Sequence, residues 1–274
     1  MQKNCKGKAL LTIVTVNYNT AEFIAVMLYA FEKLTVNQFK VIICDNGSRK
    51  KEILKLVEVV QLYDNVDIIF RKQSSFGSIG HAEAMDILVS KVDTEYFVTM
   101  DSDAIFLQKD WDKTILGQLN NSAKVIGTAL PPTETNIRPV DFPSVFAVLY
   151  DTETYKKFSP SFLPGDNRKL QDTGWEIRDA YLKHNVEGIV FESKNTRFSK
   201  DTVFKELICA TYYLDNELIA SHFGRGSSNG AAKYRIKWFQ KIPFISRLIR
   251  QYIGKKEKEN WIHICYKIIE DEVS

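Results

Sequence analysis

The sequence predicts an α/β fold in which a largely parallel sheet is flanked by helices. Two observations predict it. In the first half of the chain, apolar β-branched runs alternate with segments of helical periodicity, which is typical of parallel strands joined by right-handed crossovers. The chain also has 274 residues, of which 45% are hydrophobic, and this is enough to bury one large core.

Four strands are predicted in this first half. Leu10–Val16 is an unbroken apolar and β-branched run, which suits a strand that is covered on both faces. The other three runs are Phe39–Cys44, Val66–Phe70 and Tyr96–Met100.

Three helices are predicted between these strands. Thr20 is placed to cap the first, whose apolar residues share one face: Phe23, Ile24, Met27, Leu28 and Phe31. The second is rich in lysine and turns three residues inward: Ile53, Val57 and Val60. The third is predicted over Ile79–Val89.

The alternation weakens after Trp111. Three strands and one helix are predicted beyond it: Val125–Thr128, Ser144–Tyr150 and Leu207–Tyr213 as strands, and Asp172–Lys183 as the helix. Two further segments have loop composition: the polar Asn195–Val203 and the Gly/Ser-rich Gly224–Gly230.

Composition excludes several classes of protein. A net charge of +3 is too small to indicate a nucleic-acid partner. The four cysteines lie far apart, which predicts idle thiols rather than disulfides or a zinc site: Cys5, Cys44, Cys209 and Cys265. The apolar run Ala9–Val16 is short for a signal peptide, and no stretch has the length of a membrane span. We therefore expect a cytoplasmic protein, or one held on the inner face of the membrane.

Polar residues follow all four predicted strands of the first half. The strands end at Asn17-Tyr18-Asn19, at Asp45-Asn46-Gly47-Ser48, at Arg71 and at Asp101-Ser102-Asp103. Each of these alone is consistent with a plain turn, since Asp, Asn, Gly and Ser are the usual turn formers. Together they predict a ligand site, because ligands of open parallel sheets bind at the carboxyl ends of the strands.

Asp101 and Asp103 are the strongest candidates for a metal site. They follow a run that is expected to be buried, so both carboxylates lie at the edge of the sheet. Two such acids repel each other unless a cation lies between them, and Mg²⁺ or Mn²⁺ with diphosphate oxygens suits this pair. The alternative is a loop with two solvated acids.

Four motifs occur in an order that resembles the family 2 glycosyltransferases of the GT-A fold. They lie within about the first 120 residues: Thr15–Asn19, Cys44–Ser48, Gly77–Ala82 and Met100–Asp103. The resemblance implies a mixed, Rossmann-like sheet and an inverting transferase that uses a nucleotide-diphosphate sugar with Mn²⁺ or Mg²⁺. It also implies one domain over 1–230, with a donor-binding half (1–120) and an acceptor-binding half (121–230), before a basic amphipathic extension (231–274).

The resemblance assigns roles to single residues. The implied donor-binding residues of the first half are Val16, Asn17, Tyr18, Asp45, Asn46, Arg71, Gly77, Gly80, Asp101 and Ser102. Within this set, Asn17, Asp45 and Arg71 line the nucleoside pocket. Asp101 touches ribose or sugar, and Asp103 holds the metal with Asp101 as a further ligand. The two glycines let the backbone approach the donor.

An inverting transfer also needs a general base for the acceptor hydroxyl. The segment that matches the family's acidic pair is Gln171–Arg178, and it departs from the usual Glu-Asp doublet. Asp172 is the first candidate and Glu176 the second. The alternative makes Asp172 a helix N-cap and Glu176 a solvated partner of Lys183 or Arg178.

His222 and Arg225 are the candidates from the late part of the chain. Many GT-A enzymes carry a late histidine as a third metal ligand, which the resemblance implies for His222. Arg225, in a Gly/Ser-rich loop, suits a diphosphate. The other histidines have weaker claims: His81, expected only to face solvent, His184 and His263.

The segment 233–258 carries nine basic residues against the single acid Glu257, interleaved with aromatic and aliphatic residues. This pattern indicates a basic amphipathic helix, which Pro243 is expected to break in two. It predicts docking either on an anionic membrane or on the domain itself. No RNA-binding module is recognisable.

The function that these features predict is sugar transfer from a nucleotide-diphosphate sugar, with UDP favoured, to a hydroxyl of a glycan or lipid-linked saccharide, as in cell-surface polysaccharide synthesis. Two alternatives stay open. Phe97–Ile105 also resembles the opening motif of haloacid-dehalogenase-type phosphatases, with Asp101 as nucleophile. A non-catalytic nucleotide-sugar-binding protein is the other.

Overall fold

The structure is a computed structural model, and it describes residues 8–73, 75, 77–129, 140–144, 146–166, 171–200, 202–226 and 243–274. The strands of these residues are, in chain order, β1 (Leu11–Asn17), β2 (Phe39–Asp45), β3 (Val66–Phe70), β4 (Tyr96–Asp101), β5 (Ala104–Phe106), β6 (Ala123–Gly127), β7 (Ala147–Asp151), β8 (Glu187–Val190), β9 (Glu192–Asn195), β10 (Ala210–Leu214) and β11 (Glu217–His222). The helices are α1 (Ala21–Leu34), α2 (Lys50–Val60), α3 (Gly77–Ser90), α4 (Trp111–Leu116), α5 (Thr152–Phe158), α6 (Trp175–Lys183) and α7 (Pro243–Val273).

Seven strands form the central sheet, in the order β3-β2-β1-β4-β7-β6-β8. The first four are parallel, whereas β7 runs antiparallel to both β4 and β6. A smaller antiparallel sheet has the order β5-β11-β10-β9. The prediction of a mixed α/β sheet flanked by helices is therefore confirmed.

Alternate residues of β1 belong to two separate apolar clusters. Leu11 and Ile13 lie in the cluster that also holds α1 and the C-terminal part of α7. Val14 and Val16 lie in the cluster that holds the buried residues of α3 and α6. Because successive side chains of a strand point to opposite faces, the sheet has a helical layer on each side. This explains why β1 is buried at every position.

The two first helices differ from the predictions in detail. Thr20 occupies the N-cap position of α1, but it makes no capping bond, and its hydroxyl donates to Asn17 Oδ1 at 2.8 Å. The predicted cap is therefore wrong. On α2 the buried residues are Leu56 and Val60. Ile53 and Val57 are only half-buried, because the stripe that packs toward α1 follows an i, i+4 spacing from Leu56.

The second half contains short elements that its sequence did not predict. The strands β5, β8, β9 and β11 and the helices α4 and α5 were all missed. Strands of three or four residues carry too few positions for a period to be recognised, and their pairing partners are distant in sequence. The predicted helix over Asp172–Lys183 begins later, at Trp175, after Gly174 adopts a left-handed φ of 74°.

Helix α7 packs on the main body of the protein. Trp261, Cys265 and Ile269 are spaced by four residues and fully buried, and the Trp261 ring lies 5.6 Å from that of Phe23 on α1. Pro243, where a break in the basic segment is predicted, lies at the start of this helix. It is the first residue of α7, where the N–H that proline lacks needs no helical partner. Residues 233–242 of the predicted basic segment lie outside the described residues.

Cys44, Cys209 and Cys265 are buried free thiols, and Cys5 lies outside the described residues. Burial raises the pKa of the Cys44 thiol to about 11 and that of Cys209 to about 12, so both stay protonated and weakly nucleophilic. Among the helices that the structure describes, none combines the length and the apolar character that crossing a bilayer requires.

Candidate functional site

The predicted convergence of polar strand ends occurs at one edge of the central sheet. The register pairs Asn17 of β1 with Asp45 of β2, and Val16 with Asp101 of β4. Arg71 follows β3, and its backbone N–H donates to the Asp45 carbonyl at 2.9 Å. Parallel pairing alone therefore places these four polar positions side by side.

Asp101, Asp103 and His222 form a cluster at this edge. His222 Nε2 lies 3.3 Å from Asp103 Oδ1 and 3.5 Å from Asp101 Oδ2. The two acids flank a tight turn between β4 and β5, and β5 pairs with β11 so that Ala104 lies opposite His222. A distant histidine thus reaches the acids through the smaller sheet.

The cluster fits a divalent cation. One ligand atom from each of its three residues lies within 4.8 Å of the other two. Ligand atoms at adjacent positions of an octahedral shell with bonds of about 2.1 Å are about 3 Å apart, close to the two His222–carboxylate distances. Two carboxylates and one imidazole are also a usual donor set for such ions.

Burial and charge shift the ionisation of all three groups. Burial raises the pKa of Asp101, and the nearby Asp103 charge adds to this rise. Burial also acts to raise the pKa of Asp103, but His222 and two backbone N–H groups outweigh it and lower the pKa overall. Burial opposes the charged form of His222, yet the two carboxylates raise its pKa. The two carboxylates are thus close together and face one imidazole, an arrangement that a cation between them would stabilise.

The chain after His222 wraps around Asp103. The backbone N–H groups of Arg225 and Gly226 donate to Asp103 Oδ2 at 2.7 and 2.6 Å. A Cβ on Gly226 would come within 2.7 Å of the Asp103 Cβ, so this position has no room for a side chain. These bonds engage one carboxylate oxygen of Asp103, and the other faces His222.

The guanidinium of Arg225 makes several contacts within the protein. It lies 3.4 Å from Glu257 Oε2, donates to the Ile208 carbonyl and stacks on the Phe223 ring. Its backbone N–H, rather than its side chain, faces the cluster. A contact of this guanidinium with a donor stays a prediction, and in this structure the side chain is engaged within the protein. Of the Gly/Ser-rich loop, residues 227–230 lie outside the described residues.

His81 is a site residue whose importance the sequence did not indicate. Its Nε2 lies 3.7 Å from Asp101 Oδ1, and its side chain is about 30% exposed. The expectation that it only faces solvent is wrong, because α3 packs against β1 and β2 and places its first turn near the strand ends. The Gly-rich turn before His81 was the feature of the sequence that could have indicated its place in the site. Phe146 is a second missed neighbour, with its ring 4.5 Å from that of His222.

Asn17 and Asp45 form a rigid polar floor beside the cluster. Asn17 Nδ2 donates to Asp45 Oδ2 at 2.7 Å and to Ser48 Oγ at 3.1 Å, and Ser48 N–H donates back to Asp45 Oδ1. Asn17 and Asp45 are almost fully buried. Their hydrogen bonds are made within the protein, so the floor keeps its shape without a ligand.

Arg71 is held by a second polar group. Its guanidinium donates to Asn46 Oδ1 at 2.9 Å and to the Gly80 carbonyl at 3.0 Å, and it pairs with Glu83. Gly80 is buried, and a Cβ there would collide with the Ser75 carbonyl. The need for glycine at this position thus comes from the protein's own chain rather than from a donor.

The remaining predicted donor residues differ in exposure. Val16 is buried within the core, whereas Tyr18 is 38% exposed and Ser102 is half-buried in the turn between the two acids. Gly77 is exposed at the start of α3, with a left-handed φ of 63°. His184 stacks on Phe158, away from the Asp101 cluster.

The two candidate bases lie in different local structure. Asp172 precedes α6 and is not its N-cap, which is Gly174. The next residue, Thr173, contacts the Ser78 carbonyl at 3.5 Å, three residues before His81. Glu176 instead accepts from the backbone N–H of Ser161 at 3.2 Å. This arrangement ties the Asp172 segment to the first turn of α3, whose His81 faces Asp101.

Comparison with known proteins identifies a family that the chain matches. A model of the family described as "Glycosyl transferase family 2" matches residues 12–189, which is more than half of the chain. The match contains the polar strand ends, Asp101, Asp103 and the two candidate bases. It does not contain His222 or α7.

One curated relative and two solved structures match parts of the chain. A teichoic acid poly(glycerol phosphate) polymerase from Staphylococcus epidermidis is 32% identical over 94 residues, which are 34% of this chain and 12% of that protein. The mannosyltransferase PcManGT from Pyrobaculum calidifontis, solved with GDP-Man and Mn²⁺, has a TM-score of 0.54 at 12% identity, covering 68% of this chain and 55% of that one. Residues 1–349 of S. aureus TarS have a TM-score of 0.49 at 17% identity, covering 67% and 58%. The likeness to PcManGT shows a shared fold.

Replacing one cluster carboxylate tests whether the cluster binds a cation. At ten times its Kd, a cation stabilises the native protein by about 1.4 kcal/mol, which raises Tm by about 3–6 °C for a chain of this size. We expect Mn²⁺ or Mg²⁺ to produce this shift in the wild type and not in Asp103→Asn, measured by differential scanning fluorimetry. Asp67→Asn, which changes an exposed carboxylate of β3, is the matched control. A full shift in Asp103→Asn would refute the assignment.

Proposed function

The chain belongs to glycosyl transferase family 2, and from this premise we propose that it transfers a sugar from a nucleotide-diphosphate sugar to a hydroxyl group, with inversion at the anomeric carbon. The observation that carries the proposal is the Asp101–Asp103–His222 cluster, set beside the Asn17–Asp45 floor at one edge of the sheet. A nucleoside on the floor would direct its diphosphate toward the cluster.

The cluster residues would hold a divalent cation, Mn²⁺ or Mg²⁺, at the place where we propose that the diphosphate end of the donor binds. When bound, this cation neutralises the charge that develops on the departing diphosphate. Asp103 and His222 are the first ligands we assign, because Asp103 is the acid whose pKa is lowered and His222 faces it directly. Asp101 lies between His222 and His81 and is assigned to the sugar or ribose as well as to the cation.

The acceptor side needs a base. In the transfer, the acceptor oxygen bonds to the anomeric carbon as the bond from that carbon to the diphosphate oxygen breaks. The nucleotide diphosphate leaves with the electron pair, and the acceptor proton passes to the base. We assign Asp172, because Glu176 is engaged with the Ser161 backbone and the Asp172 segment contacts the turn of α3 that carries His81.

We propose that residues 1–120 form the donor-binding half and 121–230 the acceptor-binding half, with 231–274 as an extension.

Two relatives support the proposed sugar transfer. PcManGT binds GDP-Man with Mn²⁺, and the S. epidermidis relative builds a poly(glycerol phosphate) chain. The S. epidermidis relative favours a role in cell-surface polymer synthesis, for which we propose a glycan or lipid-linked saccharide as acceptor. Among the nucleotides we favour UDP.

The exposed face of α7 supports an anionic membrane as a further partner. Leu248 and Tyr252 are 53% and 69% exposed. Lys255 and Lys256 are exposed on the same stripe of the helix, at i+7 and i+8 from Leu248. Apolar side chains flanked by lysines suit the surface of an anionic bilayer. We propose that the protein works on the cytoplasmic face of a membrane, where a lipid-linked acceptor is presented.

Two other functions have less support. A phosphatase with Asp101 as nucleophile lacks the family match and leaves the convergence of Asp103 and His222 unexplained. A non-catalytic protein that only binds nucleotide sugars would not need Asp172 as a base. It would also not need its donor binding to depend on a cation. Donor binding and turnover separate these alternatives.

A panel of donors tests the proposed function. UDP-, GDP-, dTDP- and CMP-sugars are added with and without Mn²⁺, and Tm is measured. We expect one nucleotide class, UDP in our proposal, to raise Tm only when the cation is present, because the diphosphate and the cluster share it. If no nucleotide sugar raises Tm and the protein shows phosphatase activity that Asp101→Asn abolishes, the proposal is wrong.

A pair of isosteric variants tests the base. Donor hydrolysis, in which water replaces the acceptor, is followed for Asp172→Asn and Glu176→Gln with the donor that the panel identifies. Loss of general-base catalysis is expected to lower kcat of Asp172→Asn by about 10²–10⁴-fold, while donor Kd is unchanged. Glu176→Gln should retain activity. The reverse pattern would move the base to Glu176.

Vesicle binding tests whether the exposed face of α7 binds an anionic membrane. Each lysine near an anionic surface contributes about 1 kcal/mol, so Lys255→Gln/Lys256→Gln should lower the partition coefficient by about 30-fold. The measurement is cosedimentation with phosphatidylcholine vesicles, with and without phosphatidylglycerol. Lys91→Gln/Lys183→Gln changes two exposed lysines elsewhere and is the control. Equal binding of wild type and variant would contradict the proposal.

A further inference from the structure

Glu257 is a buried acid in a basic part of α7. It lies between Lys256 and Lys258, yet it is only 5% exposed. An ionised carboxylate is costly to bury unless a counter-ion and hydrogen bonds compensate. Its Oε2 lies 3.4 Å from Nη1 of Arg225, whose side chain is 9% exposed. A buried ion pair therefore connects α7 to the segment that follows His222.

Arg225 is held on several sides. Its guanidinium stacks 4.5 Å above the Phe223 ring and donates to the Ile208 carbonyl at 2.5 Å, in addition to its contact with Glu257. A planar guanidinium fixed by stacking, a carbonyl and a carboxylate has little freedom to move. The backbone of Arg225 is held in place as a result.

The backbone at Arg225 is the part that touches the cluster. Its N–H and that of Gly226 donate to Asp103 Oδ2, and Phe223 N–H donates to the Asp103 carbonyl at 2.8 Å. The first two bonds hold the carboxylate by Oδ2 while Oδ1 faces His222 Nε2 at 3.3 Å, and the third holds the Asp103 backbone. The chain of contacts thus runs from Glu257 through Arg225 to Asp103.

We propose that Glu257 is a positioning residue for the cation site, acting through Arg225 on the loop that orients Asp103. The inference rests on the proposed function, because it concerns the cation that the cluster binds. It gives α7 a role in the site, although α7 lies outside the family match at residues 12–189. Partners that hold a metal ligand in place commonly contribute 10- to 100-fold to metal affinity.

A purely structural role for the ion pair makes a different prediction. If Glu257 only fixes α7 to the main body, its loss lowers stability and leaves the cation affinity of the folded protein unchanged. Affinity for Mn²⁺ alone therefore distinguishes the two roles, and its measurement needs neither donor nor acceptor.

The experiment titrates the full-length protein with Mn²⁺ and measures free Mn²⁺ by electron paramagnetic resonance. We expect Glu257→Gln to raise the Mn²⁺ Kd by about 10-fold. Glu259→Gln, which changes a carboxylate with a 57% exposed side chain on the same helix, should leave it unchanged. Circular dichroism before titration verifies that each variant is folded.

Each outcome decides the inference. A folded Glu257→Gln variant with the wild-type Kd overturns it and leaves the proposed function intact. A wild type that does not bind Mn²⁺ overturns both. If Glu257→Gln does not fold, Arg225→Met/Glu257→Leu replaces the buried pair with apolar side chains, a change that often preserves stability. The same increase of about 10-fold in Kd is then expected, and an unchanged Kd overturns the inference.

Discussion

The parallel pairing of β1 with β2 and β4 determines where the polar groups of the site lie. Because Asn17 pairs with Asp45 and Val16 pairs with Asp101, a shift of one residue in either register would separate the floor from the cluster. The apolar residues of β1 oppose such a shift, since they fill two different clusters on the two faces of the sheet. The core that stabilises the fold therefore also aligns the site.

The site also requires that its negative charges be compensated. Two carboxylates meet at this edge, one of them almost fully buried, and the protein provides His222, His81 and two backbone N–H groups to face them. This compensation is incomplete around Asp101, whose pKa is raised mainly by burial. A bound cation would lower the repulsion further. The three side chains are thus arranged as a possible site for a divalent cation.

The part of the site that the sequence predicted is the part made by strand ends. Asn17, Asp45 and Asp101 follow long apolar runs, and periodicity alone locates such ends. His81, Phe146 and Glu257 could not be found in this way, because their roles depend on how helices pack and on contacts between residues that lie far apart in the sequence. Asp172 was named, but its place outside α6 depends on the left-handed Gly174, which a helical period does not reveal. Of the four-stranded sheet, only β10 overlaps a predicted strand, Leu207–Tyr213, because β5 and β9 are short and the pairing of these strands joins distant parts of the chain.

The most direct test of the central claim is anomalous diffraction at the manganese edge, from crystals grown with Mn²⁺ and UDP. The account predicts a peak about 2.1 Å from Asp103 and His222 ligand atoms, with diphosphate oxygens completing the shell and the nucleoside against Asn17 and Asp45. Bound UDP with no manganese at this cluster, or manganese bound elsewhere with the diphosphate, would contradict it.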